Sequence, residues 1–200
     1  YVTLQNPSDP KQTMLGRYDA ETHRVVKLLT IDNNAPITPR NREQRFAMDA
    51  LLNDKIKLIT LSGKAGTGKT LLAIAAGYHQ VMDTKQYNRL LVSRPIFPMG
   101  KDLGYLPGTV EEKLDPWMQP IHDALALIVH SRTGNANVPN KKGGDIIASN
   151  PLIDVEPLTY IRGRSIPNQF MIVDESQNLT PLEVKTVITR VGHDTKIVLT

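Results

Sequence analysis

Lys55-Ile56-Lys57-Leu58-Ile59-Thr60-Leu61-Ser62-Gly63-Lys64-Ala65-Gly66-Thr67-Gly68-Lys69-Thr70-Leu71-Leu72-Ala73-Ile74-Ala75-Ala76-Gly77 is the stretch that decides the fold. Its middle, from Gly63 to Thr70, fits G-x-x-x-x-G-K-[ST], the phosphate-binding P-loop. Residues 55–61 predict a buried strand, and residues 71–77 predict a helix that runs on toward Thr84. That is the strand–loop–helix context the motif needs. Gly63, Gly66 and Gly68 let backbone N–H groups turn inward around an anion, and the helix N-terminus adds positive partial charge. Lys69 would reach the β- and γ-phosphates of a nucleotide, and the Thr70 hydroxyl would ligate Mg2+. Gly63, Lys64, Ala65, Gly66, Thr67, Gly68, Lys69 and Thr70 are therefore the candidate binding residues for ATP. The bland alternative is a glycine-rich turn that happens to precede a helix.

A second element completes the site. Phe170-Met171-Ile172-Val173-Asp174-Glu175 is four apolar residues followed by two acids, the Walker B arrangement. The apolar run buries a strand, and ligands of parallel sheets bind at the carboxyl ends of the strands. Asp174 is expected to face the P-loop and hold Mg2+. Glu175 is expected to orient and deprotonate an attacking water. Solvated acids at a strand end are the alternative. Lys69 and Asp174 are 105 residues apart, with a predicted strand at 89–94 between them. Asp174 is thus expected on a strand that does not follow the P-loop strand directly, as in P-loop ATPases with an extra central strand. Thr200 ends the next strand. It is either a polar sensor of the γ-phosphate or an ordinary β-branched strand residue. Upstream, Gln44 is a candidate adenine reader, because a carboxamide both donates and accepts. A surface Gln on a helix over residues 40–53 is the competing reading.

Strands alternate with helices along most of the chain. Strands are predicted at 152–157, 170–173 and 196–200, and helices at 117–132 and 181–191, the last opened by a Thr180/Glu183 capping box. The expected fold is a three-layer α/β/α P-loop NTPase (RecA-like) domain over residues 36–200, with a mostly parallel sheet. Residues 1–35 are set apart as an extension: an extended linker at Asn6-Pro7-Ser8-Asp9-Pro10, then a hairpin of 13–18 and 23–29. Residues 96–116, rich in Pro and Gly, are expected to be an irregular functional loop, and residues 133–150 to be mobile.

Composition narrows the classes. Forty per cent of the 200 residues are hydrophobic, enough for a core, and the net charge of +4 is compatible with nucleic acid without demanding it. The chain has no cysteine, which removes disulfides, thiolate nucleophiles and Fe–S clusters and fits a reducing compartment. A cytoplasmic location is expected. No apolar run approaches the roughly 18 residues of a membrane helix, and no signal-peptide pattern opens the chain. The five histidines are scattered without metal-ligand spacing. Three Phe, six Tyr and one Trp disfavour an aromatic surface for single strands. Tyr1 is not a start methionine and Thr200 closes a strand-like run, so a fragment cut at both ends is expected.

Further motifs carry a resemblance. In order along the chain they are Pro39-Arg40-Asn41 with Gln44, Gly63 to Thr70, Ser93-Arg94-Pro95 and Gly104-Tyr105-Leu106-Pro107-Gly108. Arg162-Gly163-Arg164-Ser165 and Asp174-Glu175-Ser176-Gln177-Asn178 follow. Together, over residues 36–200, these resemble the PhoH family of ATPases, related to superfamily 1 RNA and DNA helicases. Ser176 departs from the family's usual Ala, and the family's next motif, a Gly-Asp followed by Gln, is missing. Residues 1–35 resemble, more weakly, the linker that joins an N-terminal PIN ribonuclease domain to the ATPase in some members. The resemblance implies ATP binding and hydrolysis coupled to single-stranded RNA. Arg94 matches a helicase position that touches the nucleic-acid backbone, unless it pairs with a loop carboxylate. Arg162 and Arg164 would contact RNA, act as an arginine finger in a neighbour's site, or form a solvated basic turn.

A helicase of this kind needs two closing walls, and the chain has length for one. A homo-oligomer is expected to supply the other, and the resemblance implies a hexameric ring. Two alternatives to an RNA-coupled ATPase or helicase stay open. One is an ATP-dependent switch for an attached domain such as a nuclease, without unwinding. The other is a phosphotransferase, against which Glu175 argues.

Overall fold

In a computed structural model, residues 1–31, 37–96, 110–133, 143–161 and 163–200 are described. The motif at 104–108, Arg162 and most of the Pro- and Gly-rich loop lie outside these residues.

Five strands form an all-parallel sheet: β4 (Leu58–Thr60), β5 (Arg89–Arg94), β6 (Ile153–Pro157), β7 (Gln169–Val173) and β8 (Lys196–Leu199). Their order across the sheet is β4-β8-β7-β5-β6. The P-loop strand β4 and the acid-bearing strand β7 are thus separated by β8, the extra central strand expected from spacing. Successive residues of β7 feed opposite faces: Phe170 and Ile172 join one core cluster, Met171 and Val173 the other. The first cluster lies under α1 (Arg42–Leu52), α2 (Lys69–Tyr78) and α3 (Val110–Thr133). The second lies under the 3-10 turn Leu158–Ile161 and a later helix, Pro181–Ile188. Helices on both faces make the three-layer α/β architecture.

Close packing of α2 on the sheet depends on Gly77. A Cβ there would stand 2.7 Å from both Leu90 Cδ1 and Phe170 Cδ1. After Tyr78 the helix loosens into a π turn, His79–Asp83.

Five expectations are corrected. Helix α3 begins at Val110 rather than 117, so residues 110–116 are helical and not part of the expected irregular loop. The P-loop strand is shorter than 55–61 and only Ile59 of β4 is buried, because β4 pairs with β8 alone and sits at an edge. Residues 143–148, expected to be mobile, form helix α4 (Gly143–Ala148), whose Ile146 is buried. The helix Pro181–Ile188 is then α5. Its capping box forms as read, but it stops three residues earlier than expected.

The N-terminal segment also departs from expectation. It is a three-stranded antiparallel sheet, β1 (Val2–Asn6), β2 (Asp9–Asp19) and β3 (Arg24–Lys27). The hairpin expected around Asp19-Ala20-Glu21-Thr22 forms between β2 and β3. The supposed linker is itself a tight turn between β1 and β2. Asn6 Oδ1 accepts from Ser8 N at 3.0 Å and Asp9 Oδ1 from Lys11 N at 3.1 Å, so two short polar side chains close the turn.

Candidate nucleotide site

The loop between β4 and α2 is shaped by two glycines in the left-handed region, Gly66 at φ 75° and Gly68 at φ 83°. L side chains rarely adopt this conformation, which accounts for glycine at both places. Gly68 is also the N-cap of α2, and Leu72 N donates to its carbonyl at 2.9 Å. Thr67 Oγ1 donates to Lys64 O at 2.8 Å and tightens the turn. Lys69 Nζ curls back over the loop to donate to Gly63 O (3.0 Å) and Lys64 O (3.2 Å). Gly63 to Gly68, with Lys64, Ala65 and Thr67 exposed, therefore form an open cradle at a helix N-terminus.

Thr70, in the first turn of α2, meets the end of β7. Its Oγ1 donates to Asp174 Oδ1 at 2.6 Å. Thr200 Oγ1 donates to the same oxygen at 2.7 Å. Asp174 is 4% exposed, and its backbone N–H donates to Ser93 O at 2.8 Å, so strand pairing fixes the position of the carboxylate. Arg94, at the end of β5, turns toward both acids. Its Nη1 is 3.6 Å from Asp174 Oδ2 and its Nη2 is 3.4 Å from Glu175 Oε1.

Glu175 has φ 54° and ψ 37°, a left-handed residue that is not glycine. Such a conformation costs about 1 kcal/mol or more and turns the chain out of the strand at once. Gln177, in the following 3-10 turn Ser176–Asn178, donates from Nε2 to Glu175 Oε2. Ser176 donates from both its N–H and its hydroxyl to Thr200 O, at 2.9 and 3.0 Å. Ser176 and Gln177 are not among the site residues expected from the sequence. The available signal was two polar side chains directly after an acid pair.

Gln44, on α1, is also at the loop. Its Nε2 donates to Thr67 O at 3.1 Å, and its Oε1 accepts from Arg40 N at 2.7 Å. Both ends of the carboxamide are engaged by backbone. A cavity of about 450 Å3 opens between α1 and the loop, lined among others by Asn41, Gln44, Ala47, Gly63, Thr67 and Leu72. Arg164 is engaged elsewhere, with Nη1 donating to Glu156 Oε1 (2.7 Å) and Oε2 (2.9 Å).

Among the described residues no cluster of three or more His, Cys, Asp or Glu could hold a metal, and no helix is long and apolar enough to cross a membrane. The Thr70 hydroxyl and the Asp174 carboxylate are hard oxygen donors side by side. This fits Mg2+, which takes one or two protein oxygens and completes its shell with phosphate and water.

Comparison with known proteins identifies a family and a similar fold. The family model described as PhoH: PhoH-like protein matches residues 36–200. The chain is 54% identical over 181 residues to Protein PhoH2 of Bacillus subtilis, covering 90% of this chain and 40% of that protein. It is 38% identical over 188 residues to Protein PhoH2 of Mycolicibacterium smegmatis, covering 93% and 40%. Both matches reach upstream of residue 36 into the N-terminal sheet. The chain thus spans well under half the length of these relatives. A solved structure, the Sulfolobus solfataricus SWI2/SNF2 ATPase core in complex with dsDNA, is similar in fold at a TM-score of 0.53. The sequence identity there is 16%, over 88% of this chain and 34% of that one.

Proposed function

The chain belongs to the PhoH family, and from that premise we propose that it is an ATP-binding and ATP-hydrolysing module coupled to single-stranded RNA. The observation that carries the reading is the 2.6 Å contact from Thr70 to Asp174, with Glu175 next in the chain. It joins a phosphate cradle to an acid pair at the carboxyl edge of a parallel sheet.

Each residue has a role that its position supports. The Gly63–Thr70 loop would wrap the phosphates with backbone N–H groups. Lys69 would exchange two neutral carbonyl acceptors, Gly63 O and Lys64 O, for phosphate oxygens, a stronger charge-assisted pairing. Thr70 and Asp174 would hold Mg2+, which when bound neutralises charge developing on the phosphates. Glu175 would accept the proton of the attacking water. The water oxygen bonds to the γ-phosphorus as the bond from that phosphorus to the β–γ bridging oxygen breaks, releasing ADP and phosphate. Gln44, the candidate adenine reader, would support the loop; reading adenine would require it to release both Thr67 O and Arg40 N.

RNA coupling draws support from the family resemblance at Ser93-Arg94-Pro95, while Arg94 itself, at the end of β5, pairs with Asp174 and Glu175, the kind of carboxylate pairing weighed against backbone contact. A backbone phosphate bound there would compete for the guanidinium and so change the surroundings of Glu175. Arg162 and Arg164 remain candidates for RNA or for a neighbouring subunit's site. The whole protein would assemble as a ring of identical subunits and carry further domains, a nuclease among them. The test is phosphate release from ATP with and without single-stranded RNA. Stimulation by RNA supports the coupled reading. Turnover indifferent to RNA replaces it with an ATP-dependent switch.

A further inference from the structure

Asp49 lies on α1 with no exposure to solvent, an expensive place for a carboxylate without partners. Its partners come from the N-terminal sheet and the irregular segment that leaves it. Arg17 Nε, on β2, stands 2.9 Å from Asp49 Oδ2. Leu29 N donates to Asp49 Oδ1 at 2.7 Å. One turn back along α1, Tyr1 stacks on Phe46, ring centroids 4.6 Å apart and planes at 21°. Burial and the nearby Asp49 carboxylate push the Tyr1 phenol up, consistent with the same contact.

The other end of α1 touches the P-loop. Gln44 sits in its first turn, where Asn41 caps the helix by accepting from Gln44 N at 2.8 Å. From there Gln44 Nε2 reaches Thr67 O. Five residues of helix, roughly 7.5 Å, separate Gln44 from Asp49, and a helix transmits displacement over that span as a rigid rod.

We propose that Asp49 is a positioning residue that locks α1 to the N-terminal sheet, so that Gln44 holds the P-loop backbone in its phosphate-binding shape. Residues 1–31 are then a working part of the nucleotide site. A partner or domain that pulls on this sheet changes ATP affinity through α1. The proposal rests on the reading of this loop as an ATP site.

The experiment is a double-mutant cycle between Arg17 and Gln44, read by binding of a fluorescent ATP analogue with Mg2+. Thermal unfolding of each variant checks that it is folded. Arg17→Met and Gln44→Ala are each expected to weaken binding by about fivefold, and the double variant is expected to be no weaker than Gln44→Ala alone. Arg17→Lys, which keeps the charge, replaces Met if that variant does not fold, and a loss of about twofold is expected for it. A structural role for Arg17 with no link to the loop would give losses that multiply, and that result overturns the proposal. So does unchanged affinity in a folded Arg17 variant when Gln44→Ala is weak. A parent chain that binds no ATP refutes the nucleotide-site reading itself, and with it this proposal.

Discussion

Thr70 and Asp174 are hydrogen-bonded at 2.6 Å across 104 residues of chain. Loop formation and sheet order together produce this contact, since only β8 separates β7 from β4, whose loop leads into α2. Thr70→Ala is expected to lower Mg2+-dependent nucleotide affinity by about 10- to 100-fold, whereas Thr70→Ser should stay near the parent. Titration of a labelled nucleotide with and without Mg2+ measures this. Equal affinities for Thr70→Ala and the parent in Mg2+ would remove Thr70 from the ion's shell.

Arg94→Ala is expected to lower RNA-stimulated phosphate release more than unstimulated release, because the guanidinium both faces the acids and stands in a motif assigned to nucleic acid by resemblance. Release assayed across a range of RNA concentrations checks this. An equal proportional loss with and without RNA would restrict Arg94 to the acid pair.

Lys196 is fully buried at the start of β8. Its Nζ donates to Leu51 O at 2.6 Å and Asn53 O at 2.8 Å, closing the C-terminal end of α1. Burial pushes its pKa down from 10.5 to about 8. In the window between these values the unfolded chain binds the proton and the folded chain releases it, so stability rises with pH from about 8 toward 10.5. Below that window the cost of the buried charge is present in full. Lys196→Met should remove this rise, and since Leu51 O keeps Gln80 Nε2 and Asn53 O keeps Ile56 N as donors, neither carbonyl is orphaned by the change. Urea unfolding at several pH values, parent minus variant, gives the comparison. A parent whose stability falls over the same window relative to the variant would reverse the assignment.

Gly77→Ala is expected to destabilise the domain by about 1–3 kcal/mol, because its methyl must displace Leu90 and the buried Phe170 ring. A thermal melt is sufficient, and an unchanged Tm would mean that α2 can lift off the sheet freely.

The parts of the site legible in the sequence were those whose chemistry is local. The P-loop, the four apolar residues before Asp174 and the Thr180/Glu183 box each fit within a short window. An interposed strand was implied by the spacing of Lys69 and Asp174 together with Glu175 after Asp174; that β8 is that strand follows only from the sheet pairing. The N-terminal sheet was less legible. Most residues of β1 are exposed, so no alternation marks it, and two prolines around its turn read as a linker. Helix α4 was hidden by the Gly and Lys residues that lead into it. Asp49 and Lys196 could not be found locally, since a lone charge reads as surface and their partners are distant in the chain. Arg94 was placed at a strand end by pattern, but its turn toward the acids is a tertiary fact.

Glu175 is proposed as the base of an ATP-hydrolysing site. Single-turnover phosphate release by Glu175→Gln, with nucleotide binding measured on the same preparation, tests it most directly. Binding is expected to stay close to the parent and release to slow by about 100-fold or more. Release at the parent's rate, with ATP bound equally well, would contradict that assignment.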